Sequence, residues 1–275
     1  MLNQVIIIDE SGAKGYAKNE ESYLGEFGVM AGFLLNENDL SRMRYIIEQS
    51  FNDISIDGKL HMASLDKEKK EIAISRVRTF MRLYKIKWTY SAIYVNGYHR
   101  FNLSSGNKKN KKELLHSTLF EQLITKLFYN GIKISLSQRK KSFSLKCISD
   151  HIENATINKF KKDMKIPLKF LRGDSIIIEE DEHGNKRKLD TLENIDLSIS
   201  TENSSLTFIS DVISYVTWKY LKTEIEKNNN IKLQCKGTME GHPFRSSMIL
   251  VFNDEDSFID DIFSRNPKQS HSTPH

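Results

Sequence analysis

Val5-Ile6-Ile7-Ile8 runs straight into Asp9-Glu10-Ser11-Gly12. A continuous β-branched run with no polar residue inside it suits a strand covered on both faces rather than one with a wet side. The switch to two acids, a serine and a glycine marks a polar turn at the strand's exit. Phe27 to Leu35 is a second apolar stretch and is expected to pair with the first strand in antiparallel fashion.

Further along, the apolar spacing predicts helices from Asn38-Asp39 to about Phe51, from Lys69 to Tyr84, and from Glu113 to Tyr129. A basic amphipathic helix is expected from Glu153 to Lys165, and the strongest helical pattern covers Leu206 to Glu226. Strands are expected at Lys87–Val95, Ile132–Ser137 and Phe143–Ile148. Ser175–Glu179 and Leu197–Ile199 read as short strands flanking a hairpin around His183-Gly184-Asn185, and Met248–Phe252 as a last strand. Mixed strands and helices of this kind suit an α/β fold: a central mixed sheet with helices packed on its faces. The expected organisation is one domain over residues 1–264 with insertions, followed by a polar, disordered tail at 265–275.

Composition narrows the class. Lys and Arg number 41 against 36 Asp and Glu, a formal +5 that fits a polyanionic partner without requiring one. The two cysteines, Cys147 and Cys235, lack metal-ligand spacing and make no disulfide framework, so Cys147 reads as a small core residue. The first residues lack a basic leader and the apolar run after them is four residues long, so the expectation is a cytoplasmic protein with no membrane span. No P-loop, GxSxG elbow, zinc finger or GxGxxG fingerprint occurs, which removes the usual ATPase, serine-hydrolase and dehydrogenase readings.

Three acids stand where a carboxylate would leave the core: Asp9 after the first strand, Asp150 after Phe143–Ile148, and Asp211 amid the apolar face of the long helix. An Asp among such neighbours is expensive to bury without a partner, and a divalent cation is a good one. Mg²⁺ or Mn²⁺ prefers carboxylate oxygens, and two such ions about 4 Å apart stabilise both the attacking and the leaving oxygen of a phosphodiester. The same residues also fit a plainer role, since Asp after a strand is commonly a turn residue or a helix cap. Asp174 and Asp196 are the alternatives to Asp150. Basic residues cluster at Lys108, Lys109, Lys111 and Lys112, at Arg139, Lys140 and Lys141, at Lys159 to Lys165, and at Lys186 to Lys188. Such clusters either solubilise the surface or track a phosphate backbone. Tyr94, Tyr98, His99, Arg100 and Phe101 could stack on unpaired bases or serve as core and rim packing.

Asp9-Glu10-Ser11-Gly12 after an apolar strand resembles the opening motif of the bacterial family catalogued as domain of unknown function 3800, which is related to ribonuclease H. Lys59 to Leu65, with His61, resembles its second motif, Phe143 to Asp150 its middle strand, and Ser204 to Tyr215, with Asp211, its last. The likeness runs from Val5 to Tyr220 as motifs separated by divergent segments, and nothing after Lys222 matches. The resemblance implies a ribonuclease-H-like fold and a metal-dependent nuclease acting on RNA or DNA, as an effector of phage defence or a mobile element. Asp9, Asp150 and Asp211 would then hold metal, with Asp9 the principal ligand. Glu10 would be a further ligand, a base or a salt-bridge partner, and Gly12 would let the backbone turn past the metal. His61 would position water or protonate a leaving oxygen, or else be fixed by a backbone hydrogen bond. The rival readings are a non-catalytic nucleic-acid-binding scaffold that keeps the fold, and a transposase-like strand-transfer enzyme.

Overall fold

The computed structural model describes residues 2–13, 21–54, 61–104, 114–150, 152, 154–169, 178–180, 186–188, 192–228, 231–234 and 237–249. The opening apolar run becomes β1 (Leu2–Gly12), which lies at the centre of a five-stranded sheet. Its neighbour on one side is β2 (Phe27–Asn36), antiparallel as expected, with Ile7 opposite Phe33 and Asp9 opposite Ala31. Two helices follow, α1 (Leu40–Phe51) and α2 (Lys67–Leu83), the second capped by the Asp66 side chain, which accepts the Lys69 N–H at 2.8 Å. The chain then adds β3 (Lys87–Tyr94) antiparallel to β2.

After α3 (Val95–Ser104) and α4 (Leu114–Ser137), β4 (Ser142–Ser149) pairs with β1 in parallel. Next come α5 (Asn154–Lys169), a two-stranded hairpin of β5 (Ile178–Glu180) and β6 (Lys186–Lys188), and β7 (Asn194–Thr201), which pairs with β4 in parallel. The described elements close with α6 (Ser205–Lys227). The sheet order is β3-β2-β1-β4-β7, an antiparallel meander joined to a parallel pair. This is an α/β fold with a mixed central sheet, as expected.

Helices cover both faces of the sheet, and the pleat of β1 divides its residues between two cores. Val5 and Ile7 join α1, α2 and α6, whereas Ile6 and Ile8 join α4 and α5, and all four are fully buried. The unbroken apolar run thus has a direct physical cause: along Val5–Ile8 neither face of β1 meets water.

Several expectations change. Ile132–Ser137 is not a strand but the last turns of α4. Six residues are too few to separate the two periods, and Ile132 continues the buried face set by Leu123, Leu127 and Phe128. The hairpin strand β5 pairs with β6 rather than standing beside β7, which joins the main sheet; the turn at 181–185 lies outside the described residues. Of the proposed last strand, Met248 forms only an isolated bridge to Trp88, and 250–252 lie outside the described residues. Tyr94 is core, fully buried edge-on to Phe27, and Tyr98 packs half-buried against the α4–α5 side. The expected tail at 265–275 also lies outside the described residues.

The segment after α6 matches no motif of the resembled family, yet it is tied to the rim of the sheet. Tyr90 Oη donates to the Leu233 carbonyl at 2.8 Å and Trp88 Nε1 to the Phe244 carbonyl at 2.7 Å. His242 is buried among Trp88, Tyr220 and Phe244, and burial pushes its pKa down to about 3. Cys147 is a buried core residue as expected. Among the described residues no helix is long and apolar enough to cross a membrane.

Candidate metal centre

The parallel register sets Ile7 beside Ile148 and Ile8 beside Ser149. Continued by one residue, it brings Asp9 level with Asp150, which follows the last residue of β4, while β1 itself runs on to Gly12. The alternation of β1 then separates the adjacent acids. Asp9 continues the Val5–Ile7 row toward α6, and Glu10 continues the Ile6–Ile8 row toward α4. The carboxylates nevertheless come together: one oxygen each from Asp9, Glu10 and Asp150 lie within 4.8 Å of one another.

Each face contributes a group. From α6, Asp211 comes close enough to raise the Asp9 pKa, and from α4, His116 Nε2 sits 3.6 Å from Glu10 Oε2. The α6 helix can approach β1 this closely because its facing residues, Ser210 and Ser214, are small and fully buried. Their hydroxyls are satisfied within the helix by the Thr207 and Asp211 carbonyls. Gly12 completes the local geometry. Its φ is +84°, and a Cβ there would lie 2.5 Å from the Trp218 ring and 2.7 Å from the Phe27 carbonyl. Only glycine lets β1 end under the Trp218 side chain.

The electrostatics are lopsided. Asp9 is 4% exposed, and its pKa is pushed well above the usual carboxylate value, first by burial and then by Asp150, Glu10 and Asp211. Among the described residues the contact that opposes this shift is the Glu10 N–H, 2.8 Å from Oδ1. Asp150 Oδ1 and His116 Nε2 are buried with no hydrogen-bond partner among the described residues. Groups left this way in a folded protein call for a cation or water to complete them. The His116–Glu10 separation is long for a hydrogen bond, but it suits two donor atoms sharing one cation, whose bonds run to about 2.0–2.2 Å. The residues present therefore fit a divalent metal.

Asp211 is held differently. Its Oδ2 accepts the Met62 N–H at 2.7 Å and lies 2.8 Å from His61 Nδ1. Burial raises its pKa, and these two donors oppose the shift. Of the predicted residues, Asp9, Glu10, Asp150, Asp211 and His61 are thus gathered around one end of β1. Asp196 is exposed on β7 opposite Ser144, at the far end of that strand from Thr201, and Asp174 lies outside the described residues. Arg139, Lys140 and Lys141 form the turn into β4, at the opposite end of that strand from Asp150, roughly 25–30 Å away by strand rise. Lys141 pairs there with Glu193 at 2.9 Å. Lys108, Lys109, Lys111 and Lys112 lie outside the described residues.

His116 was not among the predicted site residues. The sequence shows it only as a polar residue in the first turn of an apolar helix, and its partner lies more than a hundred positions away. The Met62 N–H is likewise invisible in a side-chain pattern.

No family model and no curated protein matches the chain. Among solved structures, it is similar to a chain of the PCNA:RNase HII complex from Archaeoglobus fulgidus, at 14% identity over 82% of this chain and 78% of that one, with a TM-score of 0.31.

Proposed function

We propose that this protein is a divalent-metal-dependent nuclease of the family whose opening motif it resembles, hydrolysing phosphodiester bonds of RNA or DNA. The observation that carries the reading is the convergence of Asp9, Glu10 and Asp150 within 4.8 Å of one another, with Asp9 buried and short of donors. Crowded carboxylates repel one another unless one keeps its proton or a cation joins them, and a divalent cation relieves all three at once.

Asp9, Glu10 and Asp150 would hold Mg²⁺ or Mn²⁺, with His116 within reach on the Glu10 side. A bound divalent cation supplies charge neutralisation at the scissile phosphate and at the attacking and leaving oxygens. The chain's own part is positional. The Glu10 N–H fixes the Asp9 carboxylate, and the dry β1–β4 pair behind it keeps water from the rear of the site. The exposed basic residues of α5, Lys159, Lys161, Lys162 and Lys165, would meet nucleic acid as phosphate contacts. A place in defence or mobile-element biology belongs to the same proposal and comes from the family resemblance alone.

The test is cleavage of single- and double-stranded RNA and DNA with Mg²⁺, with Mn²⁺ and with chelator. Wild type is expected to cut at least one substrate only with metal. Asp9→Asn, which keeps shape but removes charge, should lose more than about a hundredfold, beyond the loss typical of residues that merely support ligands. Metal-independent cleavage, or full activity in Asp9→Asn, would refute the reading.

A further inference from the structure

The solvent side of α2 carries a polar stripe with the spacing of an apolar one. Ser75, Arg78, Thr79 and Arg82 recur at i, i+3, i+4 and i+7, so they share one face of the helix, and all four are exposed. They form one wall of a cleft of about 200 Å³, whose other wall is Pro243, Phe244, Ser246 and Ser247 from the segment after α6. No Asp or Glu lines it. Two arginines one turn apart repel each other unless an anion joins them, and among the described residues neither has an ion pair. Arg76, on the neighbouring face of the same helix, is spoken for: its guanidinium holds the Asp53 carboxylate and the Ser50 carbonyl.

The facing wall is held still. Phe244 is buried edge-on to Trp88, its carbonyl accepts the Trp88 Nε1–H at 2.7 Å, and its N–H donates to His242 Nδ1 at 3.1 Å. The Ile249 N–H donates to the Trp88 carbonyl at 2.8 Å. Both ends of the 244–249 stretch are thus tied to one residue of β3, so Ser246 and Ser247 stand across from the α2 stripe at a fixed spacing, and little ordering remains for a ligand to impose. Guanidinium forks pair bidentately with the oxygens of an anion, and hydroxyls donate to those left over. A carboxylate offers such a site two oxygens, whereas a phosphate monoester offers three. The volume is below the roughly 300–1,000 Å³ of pockets that enclose whole small molecules, so the cleft suits an anionic group whose remainder stays outside.

We propose that the cleft between α2 and residues 243–247 is a phosphate-binding site, in which Arg78 and Arg82 hold the phosphate group of a nucleic-acid backbone or of a free phosphorylated metabolite. The site is separate from the metal centre. α2 begins five residues after Met62, whose N–H bonds Asp211, and Arg78 lies roughly 17 Å further along the helix axis. It is also across the sheet from the α5 lysines, since α2 packs on the Val5–Ile7 face and α5 on the Ile6–Ile8 face. The proposal stands independently of the nuclease reading.

The test uses the full chain in chelator, so that no metal takes part and failure of the nuclease reading leaves it intact. Inorganic phosphate and adenosine 5′-monophosphate are followed by ³¹P line broadening, and a labelled oligothymidylate without terminal phosphates by fluorescence anisotropy. Wild type should bind inorganic phosphate at millimolar concentrations, and Arg78→Gln/Arg82→Gln should weaken it about tenfold or more. Arg78→Lys/Arg82→Lys keeps the charges without the forks and should lose most of the same affinity. Lys133→Gln/Lys140→Gln removes equal charge from exposed positions elsewhere and should leave phosphate binding unchanged. If the cleft takes a backbone phosphate, the log–log salt dependence of oligothymidylate binding should flatten by about 0.7 in Arg78→Gln/Arg82→Gln. An unchanged salt dependence with weakened adenosine 5′-monophosphate binding assigns the cleft to a free phosphorylated ligand. Wild type that binds no inorganic phosphate, an arginine-to-glutamine variant that binds it as wild type does, or an equal loss in Lys133→Gln/Lys140→Gln would overturn the site.

Discussion

Asp150 and Glu202 occupy equivalent places in the fold. Each follows directly on the end of one of two neighbouring parallel strands, and the pairing of Ser149 with Thr201 puts them at the same level. Their surroundings are opposite. Asp150 faces Asp9 and Glu10, and its Oδ1 is buried with no hydrogen-bond partner among the described residues. Glu202 receives both guanidinium nitrogens of Arg44 from α1, one of them at 2.9 Å, and its own N–H donates to the Ser149 carbonyl at 2.7 Å. Hydrogen bonding to Arg44 holds its pKa below the usual carboxylate range. A carboxylate at a strand end is therefore not in itself a site. What marks the β1–β4 end is that the fold brings acids together there, and among the described residues no Lys or Arg is paired with Asp9 or Asp150.

The largest test of that contrast is to supply the missing charge. Divalent metal at about a hundred times its dissociation constant should stabilise the protein by about 2.7 kcal/mol, and Asp9→Asn should remove that gain. Without metal, the pH dependence has a definite sign. Asp9 has a folded-state pKa raised by burial and by its acidic neighbours, so the folded protein keeps a proton that the unfolded chain has released. Stability should be full below the ordinary carboxylate range and fall as pH rises through the raised value. Melting curves across pH in chelator check both points, and a metal-free profile that does not fall, or that is unchanged in Asp9→Asn, would remove Asp9 as the strained group.

A somewhat smaller effect is expected where the backbone shapes the acidic end. Gly12→Ala demands a side chain at φ +84° against the Trp218 ring and the Phe27 carbonyl, and should cost roughly 1–3 kcal/mol. Denaturant titration with Trp218 fluorescence reads the stability and the displacement together. An unperturbed midpoint would mean that the close approach is not real.

The smallest effect belongs to the satisfied carboxylate. Arg44 and Glu202 are both about a third exposed, so Arg44→Ala should cost no more than about 1 kcal/mol. The sign is the reverse of that for Asp9. The Glu202 contribution is present above the unfolded-state value and is lost as pH falls through the lowered folded value. The variant should therefore differ from wild type near neutrality and converge with it in acid.

Much of this was readable from sequence. Val5 to Ile8 announced a strand dry on both faces, since only a central strand has no use for polar residues, but the polar turn expected at Asp9-Glu10-Ser11-Gly12 is instead the last part of β1, because those four residues still pair with β2. The apolar spacing of Leu206 to Glu226 gave α6 almost to its ends, because a long helix repeats its period often enough to exclude alternatives. Six residues at Ile132–Ser137 did not, and only the packing of Ile132 beside Phe128 and Phe143 decided for helix. The residue types suited to a metal centre were likewise legible, because buried acids are costly and conspicuous. Which acid faces which partner was not. That depends on the pleat sending Asp9 toward α6 and Glu10 toward α4, on a parallel register that aligns Asp9 with Asp150, and on a Met62 N–H and a His116 imidazole delivered from other elements. Sequence determines what each residue can do at its own position, while electrostatics acts through space. Only the fold could decide that Glu202 would find an arginine and that Asp150 would find more acids.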